Sequence, residues 1–474
     1  MATVDPPIII NGEPVPLDGR DVYEFSNSSV TIRLPKLNEG HVQALTTLPR
    51  KELRNVPATE IIEFFYRLSR LWLDESYPRR RQLLELGPQI TGESPEVYLH
   101  SLKLAIGLTA TKAFLGDILD SELGSRMLLD EWMPRQNVLL RAEPIGKLFH
   151  VIIGNVPVAG IHSPVRWIPC KNINFVKLPA RDVTTLLSFV ASFRDPQANH
   201  PVTKTSSVFY YAGDDEAWIE RLTGIADGVC ARGGAESTRF YRELAGPGVD
   251  VIEYGLESGV QIIRWDDTSA HDPPARRAHD ICVSDQEACF SPQIIYVLGH
   301  ANAFVEKLRA ALVSRSRVWP KGQYELDQSA HLHIAARCHE FAGGEGFLPA
   351  EMGWMLLRTS LGSKSPSTIP SAAPSTSCRP CDAAECLKAI DPTVQTVGVE
   401  PAALAHEVKD ELARRGAQRI ANIGFVEVPR LGLGHGGKNL DRLLRWTALE
   451  RERSYNCRIY DMNYDEPIHD FSTE

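Results

Sequence analysis

The sequence has few of the features that mark an exported, membrane-spanning or nucleic-acid-binding protein. Residues 1–7 lack the basic start and the apolar core of a signal peptide. No run reaches the roughly 18 consecutive apolar positions that a membrane-spanning helix needs. The formal net charge is −9, whereas surfaces for nucleic acid or anionic lipid need clustered Lys and Arg. We therefore expect no nucleic-acid partner and no membrane insertion.

Cysteine is also scarce. Nine cysteines in 474 residues are too dilute for a disulfide framework, which indicates a reducing compartment, and we expect a cytoplasmic protein. Hydrophobic residues make up 43% and charged residues 23% of the chain. These proportions are typical of a soluble globular protein, and the length suggests about three domains or lobes.

Apolar spacing divides the chain into two regions. After short strands at 8–10 and 30–34, the first 140 residues are predicted to be largely helical, with helices at 58–76 and 96–119. From Phe149 short apolar runs alternate with helical or turn segments, which favours an α/β sheet with crossover helices. The predicted strands are 151–153, 173–176, 208–211, 228–231, 249–252, 260–263, 294–297, 394–399 and 419–423. A Ser/Pro-rich segment at 360–377 predicts an exposed loop, and 401–415 predicts a helix that ends at Gly416.

One cysteine stands where a nucleophile can be held rigidly. Cys289 lies in the sequence DQEACFSP, directly before the strand predicted at 294–298. Backbone N–H groups near such a turn stabilise a thiolate. A lone cysteine is also commonly a small buried hydrophobe, so the position alone leaves both interpretations open.

Two further positions follow predicted strands. Asn155, in the sequence GNVP after the strand that begins at Phe149, has an amide that can donate to a developing oxyanion. Lys177, in the sequence NINFVKLP, ends the next strand, where a lysine can bind the ribose or phosphate of a nucleotide. A turn asparagine and a surface lysine are the plainer alternative.

A two-glycine turn predicts a third candidate site. Gly233 and Gly234 stand between a strand and a helical stretch, where backbone N–H groups can approach a pyrophosphate, although the sequence lacks the G-x-G-x-x-G fingerprint. Cys378, Cys381 and Cys386 lack a spaced fourth ligand for zinc. We therefore predict no metal site.

Taken together, these blocks resemble the LuxC-type acyl-CoA reductases, the acyl-reductase subunits of bacterial luciferase systems, within the aldehyde dehydrogenase superfamily. The matching blocks, in chain order, are 144–150, 154–157, 172–177, 233–235, 285–292, 395–399, 416–420 and 440–446. The resemblance implies an α/β, aldehyde dehydrogenase-like fold with a Rossmann-type cofactor domain, an α/β catalytic domain and a helical N-terminal portion. It places the helical portion and cofactor domain at 1–262, the catalytic domain at 263–430 and a C-terminal tail at 431–474.

The resemblance also implies roles for individual residues. Cys289 would attack an activated acyl group and form a protein-bound thioester. NADPH, with NADH as the alternative, would reduce this thioester to the aldehyde. Asn155 and the backbone N–H of Cys289 would stabilise the oxyanion. Lys177 and Pro179 would contact the cofactor, with Gly233 and Gly234 under its pyrophosphate.

Glu253 is the candidate general base. It stands 36 residues before Cys289, near the position where hydrolytic aldehyde dehydrogenases carry a glutamate that activates water. A reductase gains nothing from attack by water, because water would release the thioester as the acid. A structural glutamate at a strand end is therefore the alternative.

Three functions stay open at this point. The first is a reductase that acts on acyl-CoA or on an acyl thioester held by a carrier protein or an acyl synthetase. By analogy with the superfamily, we expect a homo-oligomer. The second is a CoA-acylating aldehyde dehydrogenase, which runs the same chemistry in the oxidative direction. The third is an acyl-transfer or scaffold subunit without hydride chemistry, because the usual His-Asp-Gly of the family is His-Gly-Gly at 435–437.

Overall fold

The computed structural model of the chain describes most of its length. The described residues are 2–19, 21–109, 111–135, 138–255, 257–266, 275–323, 326–359, 375–390, 392–428 and 439–450. The family departure at 435–437 therefore lies outside the described residues. Among the described residues, no helix combines the length and the apolar character needed to cross a lipid bilayer.

The N-terminal portion begins with short strands and continues as helices. Its elements are β1 (Ala2–Val4), β2 (Ile8–Ile10), β3 (Glu13–Val15), β4 (Val22–Ser26), β5 (Val30–Pro35), α1 (Glu39–Thr47), α2 (Ala58–Leu73), α3 (Pro78–Thr91), α4 (Pro95–Thr109) and α5 (Lys112–Leu123). The apolar spacing that predicted helix α2 buries Ile61, Phe65 and Leu68 on one face. The single helix predicted at 96–119 is instead two helices, and Thr111 takes an extended conformation just before α5. Apolar spacing continues across this break, which is why the prediction missed it.

The middle of the chain forms a doubly wound parallel sheet. Its elements are β6 (Met133–Arg135), β7 (Val138–Pro144), β8 (Lys147–Val151), α6 (Pro157–Trp167), β9 (Ile173–Lys177), α7 (Thr185–Ala191), α8 (Arg194–Gln197), α9 (Pro201–Lys204), β10 (Ser206–Phe209), α10 (Glu216–Ile225), β11 (Gly228–Arg232), α11 (Ala235–Leu244) and β12 (Asp250–Tyr254). The strand order is β12-β11-β8-β9-β10-β2-β3. All pairs from β12 to β10 are parallel, so the winding reverses between β8 and β11.

The last part of the chain forms a second, mostly parallel sheet. Its elements are β13 (Ser258–Trp265), α12 (Ala275–Cys282), β14 (Pro292–Gly299), α13 (Ala301–Arg315), α14 (Leu326–Phe341), β15 (Glu345–Phe347), β16 (Leu356–Arg358), β17 (Thr376–Pro380), α15 (Ala383–Lys388), β18 (Val394–Glu400), α16 (Ala402–Arg414), β19 (Arg419–Asn422) and β20 (Leu444–Glu450). The strand order is β15-β16-β17-β14-β13-β18-β19. Apolar clusters cover both faces, one with α12 and α13 and the other with α15 and α16.

The chain changes sheets between Tyr254 and Ser258. The boundary predicted between 262 and 263 therefore lies inside β13, because that strand begins earlier than its apolar run. Strand β20 does not belong to the second sheet: it pairs along its whole length with β7, and β6 completes this small antiparallel sheet. The α/β architecture with a helical N-terminal portion is as predicted.

Two predicted segments differ in their bounds. The strand predicted at 151–153 is β8, which ends at Val151 and begins with the buried Lys147. The loop predicted at 360–377 extends too far, because β17 already begins at Thr376. Buried hydroxyl groups explain the second difference: Thr376 donates to the carbonyl oxygen of Pro292 at 2.8 Å, so a polar residue is accommodated in the core.

Candidate active site

The predicted site residues gather where the two sheets meet. The carboxyl ends of β8, β11 and β12 in the first sheet face the amino ends of β13, β14 and β18 in the second. One direct link is the amide of Asn155, which donates to the backbone carbonyl of Glu287 at 2.9 Å. A second is the ion pair between Arg181 and Glu287, at 2.5 Å. The crevice outside the carboxyl ends, where the winding of a parallel sheet reverses, is the usual ligand site of such sheets.

A strained turn leads into Cys289. Asp285 and Gln286 have φ angles of 52° and 62°, in the left-handed region that side chains other than glycine seldom occupy. Buried partners hold both residues there: Asp285 pairs with Lys321 at 3.3 Å, and the amide of Gln286 donates to Thr376 Oγ1 at 2.7 Å. The turn therefore fixes Cys289 directly before β14.

The thiol of Cys289 lies between opposite charges. Burial, followed by the negative charge of Glu257, raises its pKa to about 11. The Arg232 guanidinium, a hydrogen bond from the side chain of Gln395 and the backbone N–H of Cys289 itself act in the other direction and lower the pKa. Thiolate formation therefore depends on groups from both sheets.

Two amides hold the carboxylate beside the thiol. Glu257 directly precedes β13 and accepts hydrogen bonds from Gln395 Nε2 at 2.5 Å and from Gln418 Nε2 at 2.9 Å. Gln395 is the second residue of β18 and is 1% exposed. Its amide thus connects Glu257 to Cys289 across neighbouring strands.

Asn155 follows β8 in a turn that leaves no free space. A Cβ atom on the preceding Gly154 would lie 3.0 Å from both Cβ and Cγ of Pro179 and 3.1 Å from Cβ of Arg181. Pro179 therefore packs against the turn that carries Asn155. The amide of Asn155 is consequently held close to the Cys289 turn, where it can donate to an oxyanion.

Lys177 ends β9 and lies among aromatic rings. Its Nζ is 5.5 Å from the ring centroid of Tyr210 and 5.6 Å from that of Tyr211. Burial lowers its pKa to about 8. No carboxylate in the described part of the chain forms an ion pair with it, so an anionic ligand would supply the missing counter-charge.

The Gly233–Gly234 turn leaves the first turn of α11 accessible. Gly233 has a φ of +155°, and Gly234 is the N-cap of α11 without a side chain that caps the helix. A Cβ atom added at Gly234 would meet no heavy atom within 4 Å. Uncapped N–H groups beside open space fit a phosphate group.

Glu253, the predicted base, lies on β12. Glu253 forms an ion pair with Arg242 of α11. Alternation along β12 instead turns its neighbour, Tyr254, toward Arg232, whose guanidinium lies 4.1 Å from the Tyr254 ring centroid. The carboxylate that acts on Cys289 is that of Glu257.

Sequence reasoning missed Arg232, Glu257 and Gln395 as site residues. A weak signal was present: Gln395 is a polar residue within a buried strand, and Arg232 ends one. Neither position is informative until the pairing of β13, β14 and β18 is known.

Comparisons with known proteins show the family and the fold of this chain. The family model described as acyl-CoA reductase (LuxC) matches residues 53–446. A long-chain acyl-protein thioester reductase of Aliivibrio fischeri is 31% identical over 464 residues, covering 95% of this chain and 94% of that protein.

The aldehyde dehydrogenase KauB of Pseudomonas aeruginosa superposes with a TM-score of 0.72 at 14% identity, over 94% of this chain and 97% of that one. The indole-3-acetaldehyde dehydrogenase AldA of P. syringae, in complex with NAD+, gives a TM-score of 0.72 at 14% identity, over 94% and 96% of the two chains. The predicted aldehyde dehydrogenase-like fold is confirmed.

Proposed function

Because this chain belongs to the LuxC family of acyl-CoA reductases, we propose that it reduces an acyl thioester to the aldehyde through a covalent intermediate on Cys289. The observation that carries the proposal is the position of Cys289. Its thiol lies where the carboxyl edge of the first sheet meets the second sheet, with the Asn155 amide bound to the same turn at Glu287. A nucleophile and an oxyanion donor are thus held by different sheets.

The proposed reaction begins with the Cys289 thiolate. Its sulfur attacks the carbonyl carbon of the donor thioester, an S–C bond forms, and the donor thiol leaves with the electron pair and takes up a proton. Asn155 and the backbone N–H of Cys289 stabilise the oxyanion, and single donors of this kind contribute about 3 to 4 kcal/mol. When bound, NADPH supplies a hydride to the resulting thioester carbonyl carbon. The oxyanion of the resulting hemithioacetal then collapses to the aldehyde, the C–S bond breaks, and the electron pair returns to the sulfur of Cys289.

A nicotinamide cofactor fits the carboxyl edge of the first sheet. The uncapped start of α11 after Gly233 and Gly234 supports binding of the pyrophosphate. The half-buried Lys177, which forms no ion pair within the described part of the chain, supports contact with the adenosine ribose or its 2′-phosphate, which would favour NADPH over NADH. Pro179 would act by packing against the turn at Gly154. The structurally similar AldA was solved in complex with NAD+, which supports a nicotinamide cofactor for this chain.

The acyl donor, the oligomeric state and the cellular compartment of the protein are also part of the proposal. The name of the A. fischeri relative supports a long-chain acyl group carried on a protein, and the family description supports acyl-CoA. The exposed Trp446 and Leu449 on β20 support a contact between copies of the chain in a homo-oligomer. We place this enzyme in the cytoplasm on the basis of its dilute cysteines.

The test combines turnover with detection of the intermediate. Purified full-length protein is mixed with a long-chain acyl-CoA and NADPH, and nicotinamide absorbance and aldehyde are followed. Intact mass is recorded without NADPH. We expect wild type and the control Cys338→Ala, which removes an exposed cysteine, to form both the acyl adduct and the aldehyde.

Cys289→Ala should form neither product. The proposal is wrong if Cys289→Ala consumes NADPH as fast as wild type. An adduct without turnover would instead support the acyl-transfer function. Parallel reactions with NADH and with an acyl-carrier-protein thioester determine the cofactor preference and the donor.

A further inference from the structure

The amide of Asn155, the proposed oxyanion donor, is oriented by one hydrogen bond. Its Nδ2 donates to the backbone carbonyl of Glu287 at 2.9 Å, and among the described residues its buried Oδ1 has no partner. An amide nitrogen carries two hydrogens, so this bond uses one and leaves the second for an oxyanion beside Cys289. The direction of that second hydrogen therefore depends on where the Glu287 carbonyl lies.

The carboxylate of Glu287 is held by a different cation at each oxygen. Oε2 pairs with Arg181 at 2.5 Å, and Oε1 pairs with Lys321 at 3.4 Å. Arg181 follows β9 of the first sheet, whereas Lys321 lies between α13 and α14 in the second half of the chain. The side chains of Lys321 and Glu287 are 7% and 13% exposed, so salt and water screen this pair little. Both ion pairs act on the residue whose carbonyl orients Asn155.

Packing fixes the position of Lys321 itself. Its Nζ also pairs with Asp285 at 3.3 Å, in the left-handed part of the turn before Cys289. The next residue, Gly322, donates its N–H to the Asp285 carboxylate at 3.3 Å, and a Cβ atom there would overlap the carbonyl oxygen of Gly92. The helical N-terminal portion therefore leaves this segment no room to move away from the turn.

Arg181 contacts both ends of the link between the sheets. A Cβ atom on Gly154, the residue before Asn155, would lie 3.1 Å from Cβ of Arg181. The guanidinium of the same residue binds Glu287, which accepts the hydrogen bond from Asn155. The backbone of Arg181 thus packs beside the donor turn, while its charge holds the residue that the donor binds.

We propose that Arg181 and Lys321 are positioning residues that act through Glu287 to aim the Asn155 amide at the oxyanion. The inference rests on the proposed function, in which an oxyanion forms during acylation of Cys289 and again during hydride transfer. Without either ion pair the Glu287 carbonyl can shift, and the Asn155 amide shifts with it. A misplacement of about 1 Å can cost on the order of a hundredfold in rate.

The experiment measures how fast the full-length protein is acylated by a long-chain acyl-CoA without NADPH, by intact mass at short reaction times. Arg181→Met is the main variant, because that side chain is 42% exposed and the fold should tolerate its loss. We expect acylation to slow about tenfold. Arg181→Lys should recover most of the rate, since it keeps the charge. The control Arg239→Met, which removes an exposed arginine of α11, should react like wild type.

A double-mutant cycle with Asn155→Ala separates positioning from a general loss of stability. Because Arg181 acts through Asn155, Arg181→Met should slow acylation little further once Asn155 is replaced. Lys321→Met should show the same dependence, and the Arg181 cycle decides if that variant does not fold.

The proposal is overturned if the losses from Arg181→Met and Asn155→Ala multiply, or if Arg181→Met is acylated at the wild-type rate. A variant that is acylated normally but binds NADPH weakly would make Arg181 a cofactor ligand, which equally contradicts the proposal. Failure of the proposed function has a different signature, because Cys289→Ala would then be acylated like wild type.

Discussion

Lys177 illustrates how burial prepares a side chain for an anion. Its ammonium group lies between two tyrosine rings, and no carboxylate of the described residues pairs with it. Burial favours the neutral amine and lowers the pKa to about 8. A phosphate that binds beside this amine stabilises its protonated form. The fraction of Lys177 that is protonated therefore depends on pH within the working range of an enzyme.

We predict that NADPH affinity falls as the pH rises from about 7 to about 9.5, because the charged form of Lys177 is lost above its pKa. Fluorescence titration of NADPH at several pH values measures this effect. Lys177→Met should weaken binding at pH 7 and remove most of the pH dependence. NADH, which lacks the 2′-phosphate, should show a smaller dependence in wild type. Equal pH dependence for both cofactors would contradict contact between Lys177 and that phosphate.

At the scale of single residues, the sequence predicted some of the candidate site residues and missed others. Cys289 and Asn155 were identified from the turns that follow or precede predicted strands, and the structure links those turns through Glu287. Glu257 was not among the predicted residues, because sequence distance does not tell which side of a strand a residue faces, and the role of Glu253 stays a prediction. Two amides from separate strands hold Glu257, and those contacts depend on sheet pairing.

At the scale of elements, the turn between β8 and α6 is the most tightly constrained part of the site. Gly154 lies against Pro179, which follows β9, so two strand ends are packed together without room for a methyl group. Asn155 then reaches the Cys289 turn of the other sheet. The position of the oxyanion donor is thus set by packing between loops of neighbouring strands.

We predict that Gly154→Ala reduces kcat by roughly tenfold to a hundredfold, because the added Cβ displaces Asn155 from the Cys289 turn. The same overpacking should lower the free energy of unfolding by about 1–3 kcal/mol. Gly246→Ala is the control, since a Cβ there meets no heavy atom within 4 Å. Steady-state kinetics and urea unfolding check both effects, and a variant with wild-type kcat would show that the turn adapts.

The order of strands and helices was largely predictable from local patterns. Alternating short apolar runs indicated the parallel sheets, and three- and four-residue spacing indicated α2 and α16. The start of β17 was not predictable, because Thr376 and Ser377 are polar residues buried at 0% and 1% exposure. The hydroxyl group of Thr376 is satisfied by partners that are distant in sequence, such as the carbonyl of Pro292.

Across the whole molecule, one carboxylate connects the helical N-terminal portion to the second sheet. Glu427, beyond β19, accepts hydrogen bonds from His100 of α4 and from His279 of α12, each at 3.0 Å. Trp319 packs against both imidazole rings, with centroids 4.6 Å and 5.8 Å away. Burial alone would raise the pKa of Glu427, but the two imidazoles outweigh it and lower the pKa to about 2.

We predict that this contact stabilises the protein above about pH 5 and loses its effect as the pH falls toward 2. A carboxylate with a lowered folded-state pKa contributes stability above its unfolded pKa, here on the order of 2–3 kcal/mol. Glu427→Gln should therefore unfold at a lower temperature than wild type at pH 6, and the difference should shrink by about pH 3. Thermal unfolding at several pH values measures it. A difference that does not vary with pH would show that the contact acts only through packing.

Strand β20 follows the second sheet in sequence but pairs with a strand from the first half of the chain. After the second sheet is complete, the chain returns to the first half, where β20 pairs with β7 and the buried amide of Asn172 donates to the carbonyl of Leu443 at 2.9 Å. Glu122 of α5 also accepts from the backbone N–H of Leu440 at 3.0 Å. A chain cut between residues 428 and 439 would thus yield two pieces that remain associated, and the short piece could be supplied as a separate peptide. This enzyme is accordingly a natural candidate for fragment complementation, with strand β20 as the detachable part.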